Sequence, residues 1–110
     1  MKKNDIFGVD LDPTIGAEMS KLRPCVIVSP DEMNQYLKTV IVAPLTSTNR
    51  ALPTRVLIKA TAASGLKNDS YAALDQIKTI DKSRLLNHIG EISEEEKHLV
   101  SDALIEMFAY

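Results

Sequence analysis

Short apolar runs separated by turn-forming residues dominate most of the chain. The runs span Ile6 to Leu11, Cys25 to Val28, Val40 to Val42, Arg55 to Lys59, Ser70 to Leu74 and Gln76 to Ile80. Proline, glycine, serine and asparagine occupy the intervals, and this alternation is typical of β-strands joined by loops. Pro44 is expected to end the third run. Many short strands in one small chain predict a β-barrel.

The last segment follows a helical period instead. Ser93 and Glu96 match a capping box, and the acidic residues beside them suit the positive end of a helix dipole. The apolar positions behind the box are Leu99, Val100, Ala103, Leu104, Met107 and Phe108. We expect a C-terminal α-helix that packs this stripe against the barrel or a second subunit.

The length suits one domain spanning residues 1–110. Of the 110 residues, 45% are hydrophobic, which is enough for a single small core. No apolar stretch approaches the roughly 20 residues of a membrane-spanning helix. Met1, Lys2 and Lys3 are followed by polar residues and not by an apolar leader. A cytoplasmic protein is therefore expected.

Several kinds of site are not indicated by the sequence. Cys25 is the only cysteine and lies in a predicted strand, so we expect a buried thiol and no redox chemistry. His88 and His98 have no neighbouring ligand residues at metal-binding spacing, and surface positions are expected for both. The four glycines do not form a phosphate-binding loop. We expect no metal and no nucleotide cofactor.

Three segments in order carry a resemblance to a known family. They are Asp5 to Glu18 continuing through Lys21-Leu22-Arg23-Pro24 into Cys25 to Ser29, then Val42-Ala43-Pro44-Leu45-Thr46-Ser47, then Leu74-Asp75-Gln76-Ile77-Lys78 to Leu85. Together they cover nearly the whole chain and resemble the MazF/PemK family of toxin endoribonucleases. The resemblance implies a mainly β (α+β) fold, namely the small SH3-like barrel of the MazF and CcdB type with a C-terminal α-helix.

The same resemblance implies an activity and partners. It implies the toxin of a type II toxin-antitoxin system, an mRNA interferase that cuts single-stranded RNA at a specific sequence. Cleavage would need no metal and would leave 2',3'-cyclic phosphate and 5'-hydroxyl ends, which inhibits translation and growth. It further implies a homodimer, which lengthens the RNA groove. An acidic MazE-like antitoxin with a disordered tail would cover that groove.

Arg23 and Thr46 match the pair that the family regards as catalytic. Arg23 stands at the mouth of a strand beside a polar loop, a place suited to gripping a phosphodiester. When the 2'-hydroxyl of the RNA is the nucleophile, the protein must stabilise negative charge in the transition state. A forked guanidinium fits phosphate oxygens, and with a pKa above about 12 it is a poor base, so electrostatic stabilisation is expected. The Thr46 hydroxyl can donate or relay a proton.

The sequence leaves the choice between two roles open for Asp75. In one branch of the family, an aspartate at this place acts with an arginine two residues earlier and a histidine after the loop glycine. This chain has Ala73 and Ala17 at those two positions. Asp75 could serve as a general base if its neighbours raise its pKa, or it could orient Arg23 or a backbone group.

Further RNA contacts are expected from polar residues more than from aromatic ones, because aromatic content is only 5%. The expected RNA-binding residues are Phe7, Glu18, Lys21, Thr48, Asn49 and Gln76. For Phe7, the sequence leaves open whether the ring stacks on a base or packs in the core. For each loop residue, it leaves open whether the side chain contacts RNA or is a solvated surface group. The Gln76 amide suits a base edge. The loop from Asp12 to Leu22, hinged at Gly16, is expected to move.

Net charge is only −2, which argues against a protein that coats nucleic acid by bulk electrostatics. Residues 1–60 hold eight Lys and Arg against six Asp and Glu (8 − 6 = +2), whereas residues 61–110 hold five against nine (5 − 9 = −4). We expect a local basic groove built by the first half, with the acidic C-terminal helix facing away from it.

Two other functions compete with RNA cleavage. A gyrase-poisoning toxin shares this barrel fold but relies on a C-terminal tail containing tryptophan. This chain has no tryptophan and ends Met107-Phe108-Ala109-Tyr110. A non-catalytic barrel binding module is the other alternative, and the presence of both Arg23 and Thr46 in their motifs argues against it.

Overall fold

The computed structural model describes residues 1–110, which form a mainly β structure with a C-terminal helix. The strands are β1 (Asp5–Asp10), β2 (Leu22–Ile27), β3 (Thr39–Thr46), β4 (Arg55–Ile58), β5 (Ser70–Ala73), β6 (Lys78–Asp81) and β7 (Leu85–Glu91). The α-helices are α1 (Asp31–Tyr36) and α2 (Glu94–Phe108), and short 3₁₀ turns lie at Leu74–Gln76 and Lys82–Arg84. This confirms the predicted fold class. None of the helices is long and apolar enough to cross a membrane.

The seven strands form one antiparallel sheet in the order β4-β5-β3-β2-β1-β7, with β6 paired to β3 off this path. The end strands β4 and β7 are not paired with each other, so the sheet is open. β3 is central, since it pairs with β2 on one side and with β6 and then β5 on the other.

Both faces of the central strands are buried. The first core cluster contains Ile6, Val26, Val28, Ala43, Leu45, Val56, Ile58, Ala72, Leu74, Ile92 and Val100. The second contains Val9, Leu11, Cys25, Ile27, Val40, Val42 and Ile80, with Phe7, Met19 and Leu85 packed against it. We call these two sides the helix face and the loop face, because α2 covers the first and the β1–β2 loop and β6 cover the second. Successive residues of β2 alternate between them, as the pleat requires.

The start of α2 has the predicted capping box. Ser93 Oγ accepts a hydrogen bond from Glu96 N at 3.2 Å, and Glu96 Oε1 accepts one from Ser93 N at 2.8 Å. The second carboxylate oxygen of Glu96, which is buried, accepts from Lys59 N at 2.8 Å. The cap therefore joins the beginning of the helix to the end of β4.

Only part of the apolar stripe of α2 packs against the sheet. Val100 is buried, and Ala103, Leu104 and Met107 pack against the helix-face core. Leu99 and Phe108 are 48% and 69% exposed in the single chain, so of the two packing partners expected for the stripe only a second subunit could cover them. Residues at spacings of three and four share one side of a helix, whereas Leu99 and Phe108 flank that side by about 100° each.

Pro44 does not end β3 as predicted. Its backbone nitrogen, which carries no hydrogen, faces a gap between strands where no hydrogen-bond donor is needed. Val28 N donates to Ile41 O, which makes that pair hydrogen-bonded and the Cys25–Pro44 pair non-hydrogen-bonded. The backbone of Pro44 therefore faces away from β2, towards the region where the partner of β3 changes from β6 to β5. No ladder bond is lost there, and the strand continues to Thr46.

Two glycines in the left-handed region provide a matched test of packing. Gly65 has φ +68°, and a Cβ added there would lie 2.2 Å from the carbonyl oxygen of Ile89. Gly16 has φ +59° with nothing within 4 Å of such a Cβ. We predict that Gly16→Ala lowers the free energy of unfolding by about 1 kcal/mol through conformation alone. Gly65→Ala should lose about 1–3 kcal/mol more through overpacking.

Urea denaturation of the two variants and the wild type measures this difference. Equal losses in the two variants would show that the close approach of residue 65 to Ile89 does not constrain the fold.

Candidate active site

Arg23 is held by two backbone carbonyls at the start of β2. Its Nε donates to Ser20 O at 3.1 Å, and Nη1 lies 3.5 Å from Leu45 O. The side chain is half-buried, and its other terminal nitrogen, Nη2, makes no hydrogen bond within the protein. Because its partners are neutral, the guanidinium keeps an uncompensated positive charge and a free donor for an anionic ligand.

Thr46 lies at the end of the neighbouring strand, close to Arg23, because Arg23 Nη1 is 3.5 Å from the carbonyl of Leu45, the residue before Thr46. The β2–β3 pairing ends at Cys25–Pro44, and alternation along each strand places Arg23 and Thr46 on the same side of the sheet as that pair. Both therefore belong to the loop face. Thr46 is 8% exposed, and its Oγ1 accepts from Thr48 N at 3.2 Å, which leaves the hydroxyl proton free to donate.

The β1–β2 loop, which we define as residues 12–21, closes over this face. Gln76 Oε1 accepts a hydrogen bond from Met19 N at 3.3 Å. Glu18 accepts from Ile15 N at 3.0 Å through Oε1, and its Oε2 lies 3.6 Å from Lys78 Nζ. A groove of about 410 Å³ separates the loop from the turn at Leu74–Gln76 and has Glu18, Gln76 and Lys78 in its lining.

Asp75 is paired with Arg55 and not with Arg23. Arg55 Nε and Nη2 donate to its two carboxylate oxygens at 2.7 and 3.0 Å, and Thr54 Oγ1 donates at 3.2 Å. The hydrogen bond from Arg55 is the main cause that lowers the pKa of Asp75 below its ordinary value. The carboxylate is thus ionised and fully engaged, and the raised pKa that a general base would need is not found.

The other predicted residues surround the pair at different distances. Phe7 lies on β1, partly buried against the loop-face core, with its ring edge-to-face to His88 at 5.2 Å between centroids. Lys21, Thr48 and Asn49 are exposed in the loops that flank Arg23 and Thr46. The structure therefore brings Arg23 and Thr46 together and places Glu18 and Gln76 beside the same loop, with Phe7 one strand farther away.

Cys25 is a buried thiol, as predicted. It is fully buried two residues after Arg23, and desolvation raises its pKa to about 12, although the charge of Arg23 opposes that rise. A thiol with this pKa stays protonated at neutral pH, so Cys25 cannot act as a nucleophile beside the pair.

Arg55, Lys78 and the carbonyl of Ser20 were not identified from the sequence. The sequence places Arg55 only in a strand. Nothing in a single sequence indicates that it forms an ion pair with a residue 20 positions away. The Ser20 carbonyl carries no side-chain signal. An arginine within a short β-strand followed by a lone aspartate at a strand end is the only pattern that could have suggested the Arg55–Asp75 pair.

Comparison with known proteins decides the family. Residues 2–108 match the family described as PemK-like, MazF-like toxin of type II toxin-antitoxin system. The chain belongs to this family. The endoribonuclease EndoA of Bacillus subtilis is 37% identical over 94% of this chain and 90% of its own length.

Solved structures of the family share the fold. The Mycobacterium tuberculosis toxin MazF-mt6 superposes with a TM-score of 0.79 at 29% identity, over 94% of this chain and 95% of its own. A mycobacterial endoribonuclease in complex with its cognate antitoxin gives 0.81 at 23% identity, over 100% and 98%. The resemblance drawn from the three sequence segments is thereby confirmed.

The Asp75–Arg55 pair should make stability depend on pH. Because the pKa of Asp75 is lowered in the folded state, the pair stabilises the protein above the unfolded pKa of about 3.9 and loses this effect as pH falls through the folded pKa. We predict that Asp75→Asn costs about 1 kcal/mol or less at pH 7, since the carboxylate is partly exposed. The cost should be smaller at pH 3.

Urea unfolding at both pH values measures this, with Asp102→Asn on the exposed side of α2 as the control. A cost for Asp75→Asn that is the same at both pH values would contradict the assignment.

Proposed function

We propose that this protein is a sequence-specific endoribonuclease that cleaves single-stranded mRNA, acting as the toxin of its toxin-antitoxin system in the cytoplasm. The observation that carries the proposal is the position of the Arg23 guanidinium, which is held by two neutral carbonyls, one in the β1–β2 loop and one in the residue before Thr46. The endoribonuclease name of a 37% identical relative supports it.

The chemistry follows from what the two side chains can do. The RNA 2'-hydroxyl attacks the adjacent phosphorus and releases its proton to water, the P–O5' bond breaks, and the 5'-oxygen takes a proton from Thr46 or from water. The products are a 2',3'-cyclic phosphate and a 5'-hydroxyl. Arg23 Nη2 binds a non-bridging oxygen, where negative charge is greatest in the transition state, and Thr46 donates to the phosphate or to the departing oxygen. Since Arg23 provides the positive charge, cleavage without a metal ion is expected.

The alternatives make different predictions. A gyrase-poisoning toxin would inhibit supercoiling, and a binding module would leave RNA intact. Cleavage is favoured by the name of the 37% identical relative, an endoribonuclease, because an arginine and a hydroxyl that bind phosphate would suit either function.

Cleavage of a long single-stranded RNA in excess chelator, with mapping of the cut ends, tests the proposal. Arg23→Ala should reduce kcat by about 10²- to 10³-fold, the usual cost of removing one transition-state donor. Arg23→Lys should recover part of the loss, because an ammonium keeps the charge without the fork. Thr46→Ala should lower the rate, whereas Thr79→Ala, at an exposed position on β6, should not.

Two results would count against this assignment. Full activity in folded Arg23→Ala would remove Arg23 from the mechanism. Intact RNA after incubation with the folded wild-type protein would favour a binding module or a toxin with a protein target, and a gyrase assay would distinguish these.

We further propose that an acidic antitoxin covers the RNA groove, as the toxin family of the chain suggests. Lys21 and Arg50 are exposed in the loops flanking Arg23 and Thr46, and acidic α2 packs on the opposite face of the sheet. An acidic peptide would therefore meet the same positive charges as RNA.

A homodimer is also proposed, and an exposed apolar patch supports it. Leu22 and Leu86 are 66% and 54% exposed. Leu22 pairs with Asp10, which shares a side of β1 with Gly8, and a Cβ on Gly8 would lie 3.8 Å from Leu86 Cβ. The two leucines thus flank β1 on one side, where a second copy would bury them.

Sedimentation equilibrium tests this assembly. The wild-type protein should have twice the mass of one chain, and Leu86→Glu should shift it towards the monomer. Ile105→Glu, at a 65% exposed position on α2, is the control and should leave the mass unchanged. A wild-type monomer at micromolar concentration would contradict the proposal.

A further inference from the structure

A continuous series of contacts leads from β4 to the guanidinium of Arg23. It begins at the Arg55–Asp75 pair, in which the arginine side chain is 7% exposed and makes two hydrogen bonds to the carboxylate. Thr54 adds a third hydrogen bond to the same carboxylate. These contacts fix the 3₁₀ turn at Leu74–Gln76 against the neighbouring strand.

The next step crosses from this turn to the β1–β2 loop. Gln76 follows Asp75 directly, and its Oε1 accepts the hydrogen bond from Met19 N at 3.3 Å. Ser20 follows Met19, and its carbonyl, which belongs to the Ser20–Lys21 peptide, accepts from Arg23 Nε at 3.1 Å. A single peptide unit thus separates the group held by Gln76 from the group that holds Arg23.

Other contacts also fix the loop. Arg84 Nη1 donates to the carbonyl of Asp12 at the beginning of the loop. Lys21 N, which belongs to the same peptide as the Ser20 carbonyl, donates to the Asp12 carboxylate at 3.0 Å, and Leu11 N donates to the Lys21 carbonyl at 3.0 Å. The Glu18–Lys78 pair is 3.6 Å long and half-exposed at the carboxylate, and such pairs contribute little. Apart from Arg23 itself, Gln76 is therefore the side chain outside the loop whose hydrogen bond lies nearest to Ser20.

We infer that Gln76 is a positioning residue for Arg23: by accepting from Met19 N, it acts together with the Asp12–Lys21 contact to fix the Ser20 carbonyl that aims the guanidinium at the scissile phosphate. This role rests on the proposed ribonuclease function. This positioning role differs from recognition of a base edge. Positioning uses the acceptor Oε1, whereas Nε2, which has no hydrogen-bond partner within the protein, would be the group that contacts RNA.

Two substitutions separate these roles. Gln76→Met keeps the length of the side chain but has no strong acceptor, so the Met19 N–H loses its partner. Gln76→Glu keeps the acceptor and removes the Nε2 donor. Gln35→Met, at an exposed position on α1 with no hydrogen bond from its side chain, is the matched control.

The first measurement is the NMR resonance of the Arg23 Nε–H in the purified protein, which needs no RNA. We expect it to shift in Gln76→Met towards the value of an unbonded arginine and to stay in place in Gln76→Glu and Gln35→Met. The second is steady-state cleavage of an RNA oligonucleotide that contains a mapped cut site. Gln76→Met should lower kcat by about 10- to 100-fold, as expected for a misplaced catalytic group, with KM little changed.

The outcomes distinguish this role from the function on which it rests. An unshifted Arg23 resonance in Gln76→Met overturns the positioning role, as does a rise in KM alone in both Gln76 variants, which would show direct contact with RNA. If the wild-type protein does not cut RNA, the proposed function fails, and the resonance alone decides whether Gln76 positions Arg23. Equal thermal midpoints of all variants exclude a general loss of folding as the cause.

Discussion

The antiparallel register between β2 and β3 is the constraint on which the rest of the structure depends. Because both faces of these strands are buried, a slip by one residue would move Val26 and Ala43 from the helix face to the loop face and exchange two cores of different shape. Neither face tolerates such an exchange, so packing on two sides fixes a single pairing. The same pairing places Arg23, two residues before Cys25, near the end of β3, where its guanidinium contacts the carbonyl before Thr46.

Arg55 and Arg23 show that the surroundings of an arginine decide whether it has a structural or a chemical role. The charge of Arg55 is neutralised by a carboxylate that accepts two hydrogen bonds, and this ion pair fixes a turn. Arg23 is held by peptide carbonyls, which orient the guanidinium without cancelling its charge. A carboxylate in place of those carbonyls would hold Arg23 more firmly, but it would compete with any phosphate for the same donors. The choice of neutral partners thus keeps the cation available to substrate.

The sequence was sufficient for features encoded locally and insufficient for those set by pairing. The capping box at Ser93 and Glu96 and the strand of β1 follow from short-range patterns, and both are found. The sequence does not predict β7, because two register shifts against β1 disrupt its alternation. The prediction that Pro44 ends β3 is wrong, because the effect of a proline depends on which strand its backbone faces. Arg23 and Thr46 were identified through the motifs of a family. The Gln76–Met19 contact joins residues 57 positions apart, a distance over which a single sequence carries no local signal.

Glu96 has a consequence beyond the stability of its own helix. β4 is an edge of the sheet, and an edge strand with free N–H groups is a template on which a foreign strand can add. The carboxylate occupies the N–H of Lys59 just past β4, while α2 packs against the residues of that strand that face the core. The helix cap thereby also removes one free donor from the border of the sheet, so that a single buried side chain both begins a helix and leaves an incoming strand one hydrogen bond fewer to make.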